Sequence, residues 1–166
     1  VVPHPTVDER VAAGRAARAR LPRSATAGWT APADRRDPVG LVLAQETERV
    51  ADLLPIRHAR MAASPFAFYR GAAVVMAHDL GSRPDSGLTV QLCGDAHVAN
   101  FGGYLAPDRS TVFDVNDFDE TLPGPFEWDV LRLATSLFIA AESIGCSDAR
   151  AREVAIGCVR AYREAM

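Results

Sequence analysis

The chain has 166 residues, 48% of them hydrophobic and 23% charged, which supplies enough apolar mass for one globular domain with a core. A net charge of −3 excludes the strong positive field of a nucleic-acid binder, and no apolar run reaches membrane-span length. All 18 basic residues are arginine, so this chain alone completes no lysine-dependent step.

Cys93, Cys146 and Cys158 are odd in number and have no C-x-x-C spacing, so reduced thiols in a cytoplasmic protein are expected. The chain starts at Val1 without Met and stops at Met166 inside a helical pattern. The expectation is an N-terminal fragment of a longer protein, read as one domain over 1–166.

Thr6-Val7-Asp8-Glu9 matches a capping box, and a helix follows to about Leu21. Arg10, Arg15, Arg18, Arg20 and Arg23 crowd this end and read as a solvated face. A Pro/Gly/Ser-rich connector runs to Asp37. Asp37-Pro38 reads as N-cap and first helical residue of a helix to about Leu54, which Pro55 ends. A short helix, a turn at Ser64-Pro65 and another helix to Leu80 follow. Residues 88–93 ("LTVQLC") read as a strand. "FGGYL" and "TVFDV" are two short strands joined by the turn-forming "APDRS". "TLPGPFEW" reads as a rigid turn before a helix over 127–143, with Trp128 in the core, and Ser147 caps a last helix. Helices, a small antiparallel β unit, then helices make an α+β pattern that is mostly helical.

"QLCGDAHVANFGG" (91–103) holds one Asp, one His and one Asn among apolar and glycine positions. Alone it reads as a polar turn as readily as a catalytic loop. A hairpin of 101–105 against 111–115, centred near residue 108, sets Asn100 opposite Asn116 and beside Asp117. An Asn amide oxygen and a carboxylate held together suit a hard cation such as Mg²⁺. Asp95, five residues before the Asn, is placed to orient or deprotonate a hydroxyl. Asp119 is a second metal candidate, and a cation would relieve repulsion among Asp114, Asp117, Asp119 and Glu120. Asp114, in the strand alternation, reads as structural. His97 reads as a packed imidazole bonding the loop, ahead of a ligand or acid–base role. Gly102 and Gly103 stand evenly between close approach to a ligand and local strain relief. For Arg60 and Arg70, charge balance ranks ahead of phosphate contact. For Cys93, a buried strand-end thiol ranks ahead of a nucleophile.

"C-G-D-A-H-V-A-N" at 93–100 resembles the H-G-D-x-H-x-x-N loop of the aminoglycoside phosphotransferase and choline kinase-like families, relatives of protein kinases. That resemblance implies part of a kinase-like catalytic lobe. It assigns Asp95 as catalytic base and Asn100 as a metal ligand. "N-D-F-D" at 116–119 looks like the metal-binding I-D-[FW] segment of those families, with Asp117 as the match. "W-D-V-L-R-L-A" looks like their D-L-A helix start, which implies that Asp129 supports the loop structurally. Over nearly the whole chain, "RMAASPFAFYRGAA", "QLCGDAHVANFGG" and "VFDVNDFDETLPGPFEWDVLRLATSL" resemble the bacterial DUF2252 family.

Two departures stand out. Cys93 replaces the first His of the phosphotransferase loop, and no Gly-rich phosphate loop with a following Lys is present. The DUF2252 resemblance implies that the nucleotide pocket lies largely outside these residues, in a Gly- and Lys-bearing segment after them. The leading expectation is a Mg-ATP-dependent phosphotransferase acting on a hydroxyl acceptor. Two alternatives stay open: a metal-dependent phosphoester hydrolase using Asp95, His97, Asn100 and Asp117, and a non-catalytic kinase-like binding module. Nucleotide and a hydroxyl acceptor are the expected partners, with neither nucleic acid nor membrane.

Overall fold

A computed structural model describes residues 4–166. The first helix, α1 (Val7–Arg20), starts where its capping box closes: the Thr6 hydroxyl accepts from Glu9 N at 3.3 Å, and Glu9 Oε2 accepts from Thr6 N at 2.7 Å. Within α1 only Ala17 is buried. The connector is tethered at its far end, where Arg35 forks onto Asp79 at 2.7 and 2.6 Å and lies over the Trp29 ring.

Asp37 caps α2 (Pro38–Ala44) by accepting from Gly40 N at 2.8 Å. The expected helix to Leu54 does not continue. It gives way at Gln45 to two short 3₁₀ turns, Gln45–Glu48 and Ala51–Leu53. Leu41 and Val42 are buried, but Val39, Leu43, Val50 and Leu53 are exposed. A longer helix would have no buried face to stabilise it. Pro55 sits in the first turn of α3 (Leu54–Met61), where its missing N–H costs nothing. Ser64 caps α4 (Pro65–Gly71). The single helix expected to Leu80 breaks at the buried Ala72, and α5 (Ala73–Gly81) follows. Val42, Met61 and Ala72 form a small core with Val74 and Val75 against it.

Two separate two-stranded antiparallel sheets carry the loops of interest. In one, β2 (Phe101–Leu105) pairs with β3 (Thr111–Val115) in the expected register, Phe101 opposite Val115. In the other, β1 (Thr89–Leu92) pairs with β4 (Leu122–Pro125), Leu92 opposite Leu122. The segment read as a rigid turn is thus a strand. Its Gly124 lets the Leu92 side chain stand where a Cβ would be, 2.6 Å away. Last come α6 (Glu127–Ser143) and α7 (Asp148–Ala165), which pack on each other, and Ala141 and Ala151 are their buried alanines. Trp128 is half-buried against Gly81. The fold is α+β and mostly helical. Among the described residues no helix is long and apolar enough to cross a membrane.

Candidate functional site

One stripe of α6 grips the loop that follows β1. Asp129, Arg132 and Ser136 stand at i, i+3 and i+7, so they share a helix face. Asp129 accepts from Cys93 N at 2.7 Å and Gly94 N at 3.1 Å. Arg132 donates to Asp95, and Ser136 Oγ accepts from Val98 N at 2.9 Å. Three successive contacts along the helix thus hold successive points of one loop.

The loop can approach this way because of Gly94. Its φ is +82°, and a Cβ there would lie 1.9 Å from the Glu120 carbonyl oxygen. Gly94 therefore serves both left-handed backbone and close contact with the second loop.

Asn100, only 6% exposed, ties the two loops together. Its amide nitrogen donates to the Asp95 carbonyl and to the Asp117 carbonyl, each at 3.1 Å. Its backbone carbonyl accepts from Asn116 N at 3.0 Å, the pairing that the hairpin register requires. Asp117 Oδ1 accepts from Asp119 N at 3.1 Å, turning the chain so that both carboxylates belong to one short loop. At Gly102 the space a side chain would fill is taken by the Asn116 amide, 2.4 Å from an ideal Cβ. That glycine makes room for the protein itself.

Arg132 is the residue that sequence reasoning missed. It is 3% exposed, and both Nε (2.7 Å) and Nη2 reach the same oxygen, Oδ1 of Asp95. Nη2 also donates to the Tyr69 carbonyl at 3.0 Å. The guanidinium lies over the Tyr69 ring, 4.5 Å from its centroid, and the Tyr69 hydroxyl donates to the Arg132 carbonyl at 2.8 Å. A signal was present: Arg132 lies one turn from Asp129, between Leu131 and Leu133 on a helix otherwise apolar there.

Among the described residues the partner of Asp95 Oδ2 is His97, whose Nε2 lies 3.5 Å away. His97 is 5% exposed, and its Nδ1 has no partner. Burial pushes the Asp95 carboxyl up, but the His97 side chain and the Arg132 charge outweigh it and hold it below the ordinary carboxylate range. Burial and the Asp129 charge push the Cys93 thiol up to about 11, which keeps it protonated at neutral pH.

Asp95, Asp117, Asp119 and Glu120 line one wall of a cavity of about 160 Å³, and Arg49, Arg57 and Arg70 line it from the helical side. Asn100 and Asp129 are not among the residues that line it. Among the described residues no three His, Cys, Asp or Glu side chains converge tightly enough to hold a metal by themselves. The donor set still fits Mg²⁺, which takes one or two carboxylates and fills its remaining positions with water and phosphate oxygens.

The family model for uncharacterised proteins found in bacteria, DUF2252, matches residues 49–166. The chain belongs to the DUF2252 family. The matched region begins just before α3 and takes in both loops, both sheets and the α6 stripe. No curated protein and no solved structure matches this DUF2252 chain.

Proposed function

We propose that this chain carries the base and metal loops of a Mg-ATP-dependent phosphotransferase acting on a hydroxyl acceptor, in the cytoplasm. The observation that carries this reading is the shared cavity: Asp95, Asp117 and Asp119 open onto it while Arg132 anchors Asp95 by one oxygen alone. Asp117 and Asp119 would hold Mg²⁺, which neutralises charge on phosphate oxygens when bound.

The chemistry of the protein's own groups follows. The acceptor hydroxyl hydrogen-bonds to Asp95 Oδ2 and is oriented by it. Its oxygen forms a bond to the terminal phosphorus of ATP as the bond to the ADP oxygen breaks. The hydroxyl proton passes to Asp95 and then to solvent. A carboxylate with a lowered pKa is a weak base, so its main contribution is orientation, with proton transfer late in the step. His97 and Arg132 fix the carboxylate plane, and Asn100 fixes the distance between the two loops.

The test is phosphoryl transfer from Mg-ATP to a panel of small hydroxyl acceptors, followed by ADP release. Asp95→Asn should lower transfer by about 10²-fold or more while nucleotide binding persists. Normal turnover by that variant would falsify the role of Asp95. Hydrolysis of phosphoesters without nucleotide would instead support the metal-dependent hydrolase, and Mg-ATP binding with no transfer would support a binding module.

A further inference from the structure

The cavity beside Asp95 has walls of opposite charge. On the β side stand Asp95, Asp117, Asp119 and Glu120; on the helical side stand Arg49 after α2, Arg57 on α3 and Arg70 on α4. Asp95 is already paired with Arg132. The other carboxylates of the wall and the three arginines form no ion pair within 4.0 Å among the described residues, although they share one small space. The scaffold holds the two sets apart.

Arg57 is fixed in place. Its Nη2 donates to the Gly71 carbonyl at 2.6 Å, and Gly71 is itself part of the lining. Its Nε is buried with no partner. Burial and the charge of Arg49 push Arg57 below its ordinary range, while the charges of Glu46 and Glu120 push the other way, so both guanidinium and carboxylate groups act on it across this space.

We propose that Arg49, Arg57 and Arg70 form a phosphoryl-binding wall, and that the cleft takes a phosphate and its divalent cation together as one ligand. A lone anion would meet the carboxylate wall, and a lone cation the guanidinium wall; a metal–phosphate pair satisfies both. The volume fits this choice. About 160 Å³ is below the roughly 300–1,000 Å³ of pockets that enclose whole small molecules. At about 30 Å³ per water it equals some five waters, enough for the phosphoryl end of a ligand. The chain has no lysine, so guanidinium groups supply the cationic contacts. This deepens the phosphotransferase reading by assigning the residues that receive the transferred group; the anion site itself stands on the cavity.

The experiment is a calorimetric titration of the protein with pyrophosphate and, separately, with inorganic phosphate, each with and without millimolar Mg²⁺. Pyrophosphate should bind, and more tightly with Mg²⁺. The Arg49 and Arg70 side chains are exposed and make no hydrogen bond among the described residues, so the double variant Arg49→Gln/Arg70→Gln should keep the wild-type unfolding midpoint. Its pyrophosphate affinity should fall at least roughly tenfold. Asp117→Asn/Asp119→Asn should retain pyrophosphate binding but lose the gain from Mg²⁺. Absence of pyrophosphate binding by the wild type, or equal binding by the arginine variant, would overturn the proposal. Inorganic phosphate matching pyrophosphate would mark a site for a single phosphoryl group, and much weaker phosphate binding a site for a diphosphate end. The two readings separate cleanly. Loss of pyrophosphate in the arginine variant with normal transfer by Asp95→Asn leaves the cleft standing and removes the base. Loss of transfer in Asp95→Asn with pyrophosphate binding untouched by the arginine changes does the reverse.

Discussion

Arg132 binds Asp95 through a single carboxylate oxygen: Nε lies 2.7 Å from Oδ1 and Nη2 reaches the same atom. The other oxygen is left to His97 and the cavity. One residue is thereby both a structural anchor and a chemically available group, and the two roles can be separated by mutation.

Arg132→Ala should destabilise the fold by about 3 kcal/mol, since it strands a partly buried carboxylate and removes the contact to the Tyr69 carbonyl. Arg132→Lys should recover little of this, because one ammonium cannot reproduce the fork or the stacking on Tyr69. Urea unfolding midpoints of the two variants measure both effects. Equal stability of Arg132→Lys and wild type would show that charge alone matters.

The same pair sets a pH dependence. Asp95 has a folded pKa below its unfolded value, so its contribution is fully present above about pH 4, the unfolded carboxylate range. It is lost as pH falls through the still lower folded value. The stability gap between wild type and Asp95→Asn should therefore be constant from about pH 5 to neutrality and shrink below about pH 4. A gap that shrinks well above pH 4 would show that the Asp95 carboxyl is not held below its ordinary range.

Gly94 and Gly145 both have positive φ, +82° and +87°. A Cβ at Gly145 meets nothing within 4 Å, whereas at Gly94 it overlaps the Glu120 carbonyl. Gly145→Ala should cost about 1 kcal/mol, the backbone strain alone. Gly94→Ala should cost several kcal/mol or displace the 117–120 loop, because backbone cannot yield as a side chain does. Chemical denaturation of the pair isolates the steric part, and equal costs would remove the close approach of the two loops from the account.

Asp129→Ala should cost about 2–4 kcal/mol, since the Cys93 and Gly94 N–H groups both lose their acceptor. Asp129→Asn keeps one acceptor oxygen and should lose about half as much. Amide exchange at Cys93 and Gly94 reads this directly: both amides should exchange faster in the Ala variant, one of them in the Asn variant. Unchanged protection would show that the loop is held from elsewhere.

Much of the fold is written in short-range signals. The Thr6/Glu9 box, the Asp37-Pro38 start, the Ser147 cap and the α6 boundary depend on neighbours within four residues, so the sequence states them outright. The β2–β3 register was legible for the same reason, because a five-residue turn leaves little choice of pairing and brings Asn100 beside the Asp117 backbone. Strand β4 was not legible. Its Leu-Pro-Gly-Pro has poor strand propensity, and it forms only because β1, some thirty residues earlier, offers a partner. The ends of α2 and α4 were hidden likewise, since they depend on which apolar faces find cover.

The sequence by itself picked out Asp95, Asn100, Asp117 and Asp119 as candidates, in an order and spacing that a hairpin brings together. Only the tertiary structure decided how they are divided. It tied Asn100 to the backbones of both loops through its amide nitrogen, set Arg132 on one oxygen of Asp95, and brought Arg49, Arg57 and Arg70 from three separate segments to the cavity that the carboxylates line. Of these only Arg70 stood out in sequence, flanking the apolar stretch before it; Arg49 and Arg57 carry no local mark, because a charge on a helix surface looks the same in sequence whether it faces solvent or a cleft. The difference lies in helix packing, and packing is settled by contacts far apart in the chain.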